Sequence, residues 1–212
     1  MSDPDDKAPA SRRERRRLEV RTRILDAAHR RFQSSGYQAT TVAEICDEAD
    51  VAYKTFFNHF PAKHDVLNEI EARALDEVIA QLTDALETEP TTRARITRFF
   101  ERAATEADAA GPMNRELLAE MIHSAHVRGD ESTQIRRVVE GIERILRAGI
   151  DQGDVRRDHP LETLAEMIRG SYYALMISFA NLDDYPIVER ARLLAALVAD
   201  SIAPDSSDAS CR

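Results

Sequence analysis

The residues best equipped for chemistry lie in one short run: Tyr53, Lys54, Thr55, Phe56, Phe57, Asn58, His59 and Phe60. Lysine, threonine and histidine suit phosphate oxygens, as do helix N-termini. Asparagine can pair with an adenine edge, and an aromatic ring can touch a thymine methyl. This is the chemistry of nucleic-acid recognition rather than of bond breaking. The chain holds no Ser/His/Asp arrangement, no Cys-x-x-Cys and no glycine-rich phosphate loop. An enzymatic reading therefore has no residues to carry it, and no cofactor is expected.

Such side chains need an element that sorts them. On a helix over 52–60, Phe56 and Phe60 stand four residues apart and share a face. That face can lean on Phe32, Ile45 and Val51 to close a three-helix core. Tyr53 with Phe57, and Lys54 with Asn58, then turn away from the core, and Thr55 and His59 flank them. Pro61 ends the helix, because the residue before proline avoids helical dihedrals. Upstream, Thr40 or Thr41 can cap a second helix that ends near Ala49 and Asp50, and Glu44 follows Thr41 at capping-box spacing. A first helix fits Arg15 to Ser34, with Ile24, Leu25, Ala28 and Phe32 on one face and Gly36 as its stop. Two short helices joined by a tight turn form a helix-turn-helix, whose second helix enters the major groove.

The rest of the chain supports a helical protein. It has 212 residues, rich in Ala, Leu, Glu and Arg, with no alternating β-branched run and no hairpin dipeptide. The fold class read from it is all-α, with about nine helices. Later helices fit 63–87, 92–109, 112–127, 132–152, 161–181 and 187–203. The expected organisation is a disordered basic arm over 1–14 and a helix-turn-helix domain over 15–62. A larger domain over 63–204 and a disordered tail over 205–212 follow. Charge follows the same division. The chain carries a formal net charge of -9, yet Arg12 to Arg31 hold nine Arg against Glu14, Glu19 and Asp26. A basic segment ahead of an acidic body suits one part that meets an anionic polymer and one that does not.

Several features bound the function further. No apolar run reaches the roughly 18 residues of a membrane span, and the first residues lack the apolar stretch of a secretory signal. The protein is expected in the cytoplasm, away from membranes. Cys46 shares a helix face with Val42, Ile45 and Ala49 and reads as a small core residue, not as half of a disulfide with Cys211. Glu120, His123 and His126 form one Glu-x-x-His on the sixth helix. A di-iron bundle needs two such motifs and further Glu, so no metal site is assigned.

The run "TTVAEICDEADVAYKTFFNHFPAKHDVL" resembles the signature of TetR-type transcriptional regulators, close to T-x-x-x-I-A-x-x-A-G-V-S-x-G-T-[LF]-Y-x-[HY]-F-x-x-K-x-x-L. Thr41, Ile45, Ala49, Val51, Thr55, Phe56, His59, Phe60 and Lys63 match. The resemblance is specific over about residues 20–67. Four of its departures bear on the reading helix and its turn. Asp50 stands for a turn Gly, Ala52 for a capping Ser, Lys54 for a small residue, and Phe57 for a Tyr. By position, the resemblance implies that Tyr53, Lys54 and Phe57 read base edges. It implies phosphate contacts from Thr41, Thr55, Asn58, His59 and Lys63, with the arm Arg12–Arg17 as a further candidate.

The resemblance also implies a ligand-responsive regulator, a repressor by preference, bound to an inverted repeat on double-stranded DNA as a homodimer. Helices eight and nine are the expected dimer surface. They carry Leu164, Met167, Ile168, Tyr172, Leu175 and Phe179, and Ile187, Leu193, Leu194, Leu197, Val198 and Ile202. These residues alternatively fill the chain's own core. Helices four to seven would enclose a pocket for a small-molecule effector. The candidate lining is Phe99, Phe100, Leu117, Met121, Ile142, Tyr173 and Met176, since Met and aromatic side chains suit an adaptable apolar cavity. The competing reading is a helical protein-interaction or metal-binding bundle that has lost DNA binding.

Overall fold

A computed structural model describes residues 11–109, 115–122 and 133–204; the expected tail over 205–212 and the pair His123 and His126 lie outside them. The described residues are helical, with no strand among them. The elements are α1 (Arg12–Ser35), α2 (Val42–Ala49), α3 (Tyr53–His59), α4 (Lys63–Thr88), α5 (Thr92–Ala109), a helical segment α6 over 115–122, α7 (Thr133–Gln152), α8 (Leu161–Asn181) and α9 (Ile187–Ile202). They form two compact units that divide between Ile70 and Glu71, inside α4. The boundary expected at 62/63 falls earlier, at the start of that helix.

Capping chemistry sets the ends of the first unit's helices. α1 begins at Arg12, not Arg15, because Ser11 and Glu14 form a reciprocal capping box: Ser11 N–H donates to Glu14 Oε2 at 2.7 Å and Glu14 N–H to Ser11 Oγ at 3.2 Å. Part of the expected disordered arm, Arg12 to Glu14, is thus helical. Gly36, at φ 81°, stops α1 and returns its N–H to Phe32 O. Buried Thr40 closes the turn by donating to Gly36 O at 2.8 Å. Thr41, not Thr40, caps α2 through its own box with Glu44. Asp50 occupies the left-handed region at φ 50°, ψ 55°, which lets Val51 N–H reach Cys46 O at 3.0 Å.

The first unit's core is Ile24, Leu25, Ala28 and Phe32 of α1, Ile45, Cys46 and Ala49 of α2, and Phe56 and Phe60 of the α3 region. Val66, Leu67 and Ile70 from α4 complete it. Fully burying the Ile, Leu, Val and Phe side chains contributes about 1.5–3 kcal/mol each. Cys46 is a free thiol that burial pushes above its ordinary pKa, as suits a small apolar core residue.

The second unit has a larger core built on α5, which packs along α9 and against α7 while α8 packs on α7 and α9. Phe99 and Phe100 of α5 both turn into this core with Ile142 and Leu146 of α7. From α8 come Leu164, Ile168, Leu175 and Phe179, and from α9 Ile187, Val198 and Ile202. The start of α5 is tied to the end of α7 by Asp154, which accepts from Thr92 N–H at 2.8 Å and from its hydroxyl at 2.7 Å. No described helix is long and apolar enough to cross a membrane.

Candidate nucleic-acid interface and ligand pocket

α3 separates anchoring from presenting groups as its phasing requires. Phe56 and Phe60 are 0% and 1% exposed, whereas Tyr53 is 57% and Phe57 40% exposed. Lys54 and Asn58 also face outward, and Thr55 and His59 are half-buried at the flanks. Tyr53 and Phe57 meet edge to face at 5.0 Å, and Phe57 meets Phe56 at 5.3 Å. The outward aromatics are therefore braced on each other and on the core, at a geometry aromatic pairs favour. Ala52 gives α3 no side-chain cap; its carbonyl alone receives Thr55 N–H at 2.7 Å and Phe56 N–H at 3.2 Å. The N-terminal amide groups of α3 keep donors available at the end that a helix-turn-helix turns toward DNA.

The other expected contacts are placed differently. Thr41 is exposed, but its hydroxyl donates to Glu44 Oε2 at 2.7 Å within the capping box. Those bonds from Thr41 hold the Glu44 carboxyl below its usual range. Lys63 sends its ammonium back into the turn after α1. It donates to Tyr37 O at 2.7 Å and Thr40 O at 2.8 Å and lies 4.3 Å above the Tyr37 ring. His59 is tucked against α1: its carbonyl accepts from Arg21 at 2.8 Å, and its Nδ1 is buried without a hydrogen bond. Burial, then the nearby Arg17 and Arg21, push the His59 imidazole below its ordinary pKa. Arg21 itself lies 4.1 Å over the Phe60 ring and is paired with Glu69. Arg30 likewise pairs with Glu48 at 2.7 Å, fixing α1 to α2.

Sequence reasoning missed the roles of Lys63 and Arg21. Both are cations committed to backbone carbonyls, and nothing in residue type distinguishes such a cation from a phosphate ligand. Only the path of the chain brings the carbonyls of Tyr37, Thr40 and His59 within reach.

The second unit holds a cavity of about 360 Å³, within the range usual for small-molecule sites. α4 supplies Glu71, Ala74, Leu75 and Val78; α6 supplies Leu118, Met121 and Ile122. α7 adds Ile135 and Val138, and α8 adds Arg169, Tyr172, Tyr173 and Met176. Of the expected lining, Met121, Tyr173 and Met176 are there. Phe99, Phe100, Leu117 and Ile142 are not; at 2%, 0%, 1% and 2% exposure they fill the core. α5 lies between α7 and α9, so both of its aromatic neighbours are covered. Tyr172 links the two sets, lining the cavity while its ring sits 5.1 Å from Phe99. Burial, with a smaller contribution from Glu106, pushes its phenol up to about 12, so it stays a neutral hydrogen-bonding group. The walls are mostly aliphatic, with Glu71 and Arg169 as the charged members. No group of three His, Cys, Asp or Glu among the described residues could hold a metal.

On α8 and α9, most residues expected at a dimer surface are core residues of the single chain. Leu164, Ile168, Leu175, Phe179, Ile187, Val198 and Ile202 are buried, and Met167, Tyr172 and Leu194 are half-buried. Leu193 and Leu197 point outward on α9 at 59% and 63% exposure, one helical turn apart. Gly170 and Ala174 are exposed on α8, and a Cβ added at Gly170 would meet nothing within 4 Å.

Residues 24–70 match the family model described as "Bacterial regulatory proteins, tetR family". The chain is 23% identical over 188 residues to the HTH-type transcriptional repressor KstR2 of Rhodococcus jostii, covering 86% of this chain and 91% of that protein. Its fold resembles the transcriptional regulator FadR from Bacillus subtilis in complex with stearoyl-CoA, with TM-score 0.72 and 18% identity, over 85% of this chain and 98% of that one. It also resembles Thermus thermophilus FadR in complex with lauroyl-CoA, with TM-score 0.62 and 24% identity, over 84% and 92%.

Proposed function

We propose that this chain, which belongs to the TetR family of transcriptional regulators, is a repressor that binds an inverted-repeat operator as a homodimer and is released by a small-molecule effector. The observation that carries the reading is α3. It is held by Phe56 and Phe60 and presents Tyr53, Lys54, Phe57 and Asn58 to solvent within the stretch that matches the family. Tyr53, Lys54 and Phe57 are assigned to base edges, and Asn58 and Thr55 to phosphates. A seven-residue helix reads few base pairs, so two copies related by a two-fold axis are needed for a specific site. The outward Leu193 and Leu197 of α9, with the exposed Gly170 and Ala174 of α8, are the proposed dimer face. The protein acts in the cytoplasm, where its operator is.

The cavity of the second unit is the proposed effector site. Its aliphatic walls suit an extended apolar body, and Arg169 offers a cation to an acidic or carbonyl group. Long-chain acyl-CoA thioesters are the first class to test, given what the two FadR structures hold. The ligand acts only through a difference in affinity between DNA-competent and released states. Selection of random duplexes with the full chain tests the reading. Recovery of a palindrome is the expected result, and absence of enrichment at low salt would overturn it. Addition of stearoyl-CoA or lauroyl-CoA to the recovered complex then tests release.

A further inference from the structure

Several cations of the first unit are engaged elsewhere. Lys63 is bound to carbonyls, Arg21 is paired with Glu69, and Arg30 and Arg31 with Glu48. Phe57 has no hydroxyl, and His59 is half-buried with its charge disfavoured. Lys54 is the remaining cation on α3. Phosphate contacts dominate the affinity of DNA-binding proteins, so the positive charge must come from another element.

α1 supplies it. Arg12, Arg13, Arg15, Arg16, Arg17 and Arg23 are exposed and make no ion pair among the described residues. The capping box at Ser11 makes this stretch a regular helix, so each Arg has a defined direction. Arg21 marks the side that faces the C-terminal end of α3, through His59 O and the Phe60 ring. At about 100° per residue, Arg17 lies about 40° and Arg13 about 80° from Arg21, whereas Arg12 and Arg23 lie about 180° and 200° round. Glu14, on the same side, is drawn back into the capping box. The influence of Arg17 on His59 agrees with this placement. A seven-residue helix spans about 10 Å, close to the ~12 Å width of the major groove. The end of a helix lying across that groove therefore meets the wall where the phosphates run.

We infer that, of the candidate arm Arg12–Arg17, Arg13 and Arg17 alone form a phosphate clamp at the C-terminal end of α3, gripping the DNA backbone beside the groove that α3 reads, while Arg12, Arg15 and Arg16 turn away from it. The inference rests on the DNA-binding reading above and names a contact that the helix-turn-helix itself does not contain. It turns the N-terminal basic segment from a diffuse charge into a stiff, one-sided element. Sequence discrimination stays with α3, and the clamp adds affinity without regard to base identity.

The test compares two double variants of the full chain with the same change of charge, Arg13→Gln/Arg17→Gln and Arg12→Gln/Arg23→Gln. Binding to a 30-base-pair mixed-sequence duplex is followed by fluorescence anisotropy across a NaCl series. Loss of two phosphate contacts should flatten the slope of log K against log[salt] by about 1.8 per bound protomer, at about 0.9 each. The first variant should show that change, and the second should keep the wild-type slope. Equal slopes for the two variants would overturn the clamp, because charge alone would then explain the effect. Failure of the wild-type chain to bind the duplex even at low salt would instead overturn the DNA-binding reading. Circular dichroism melts check that both variants fold, and Arg13→Lys/Arg17→Lys, which keeps the charge, should restore the slope.

Discussion

Replacing Lys63 by Met separates a structural cation from a DNA contact, because the two roles move different observables. The ammonium donates to two carbonyls at 2.7 and 2.8 Å and stands 4.3 Å from the centre of the Tyr37 ring. A hydrogen bond to a charged group contributes about 1.5–3 kcal/mol, and an exposed cation–π contact about 0.5–1 kcal/mol. Lys63 is half-buried, so water can replace part of this, and a net loss of about 2 kcal/mol is a fair expectation. With a urea dependence of about 2 kcal/mol/M, the midpoint of the transition that reports the first unit should fall by about 1 M. Urea titration of the full chain by circular dichroism measures this, and the same samples give the salt slope on duplex DNA. The structure predicts lower stability and an unchanged slope when binding is measured where the variant is folded. An unchanged urea midpoint with a slope flattened by about 0.9 per protomer would refute the reasoning and return Lys63 to the phosphates.

Ala52→Ser supplies the side-chain cap that α3 lacks and should raise stability by about 1 kcal/mol, read as a higher urea midpoint. His59 has a folded pKa below its ordinary 6.5, so the unfolded chain binds the proton more readily. Its contribution is complete above about pH 6.5 and is lost as pH falls below that value through the lower folded pKa; His59→Gln should remove this part of the pH dependence of the melting temperature. Leu193→Glu with Leu197→Glu places two charges on the outward face of α9 and should yield monomers in sedimentation velocity while leaving the helical signal intact. Persistence of the dimer would move the interface off this face.

Much of the first unit was legible in the sequence because its signals are local. Capping pairs, the turn glycine, Pro61 and the four-residue spacing of Phe56 and Phe60 each act within a helical turn, and the helices follow them. Where a side chain's contacts were not legible, the deciding one spans a long stretch of chain. The ammonium of Lys63 meets carbonyls 23 and 26 residues away, and Arg21 meets a carbonyl 38 residues away. Four of the seven residues expected to line the cavity sit in the core for the same reason. Phe99 and Phe100 have the composition of a pocket wall, but α5 is covered on both sides, so their size fills the core instead. The cavity opens where α4 and α6 to α8 leave space; Met121, Tyr173 and Met176 follow the composition rule, but most of its wall is ordinary aliphatic residues that the rule does not single out. Its two charged members, Glu71 and Arg169, do carry a signal. Lining an otherwise apolar cavity, they stand where burying charge is costly. Residues that depart from a helix's apolar pattern on its covered side are thus better guides to a ligand site than the large apolar residues that complete it.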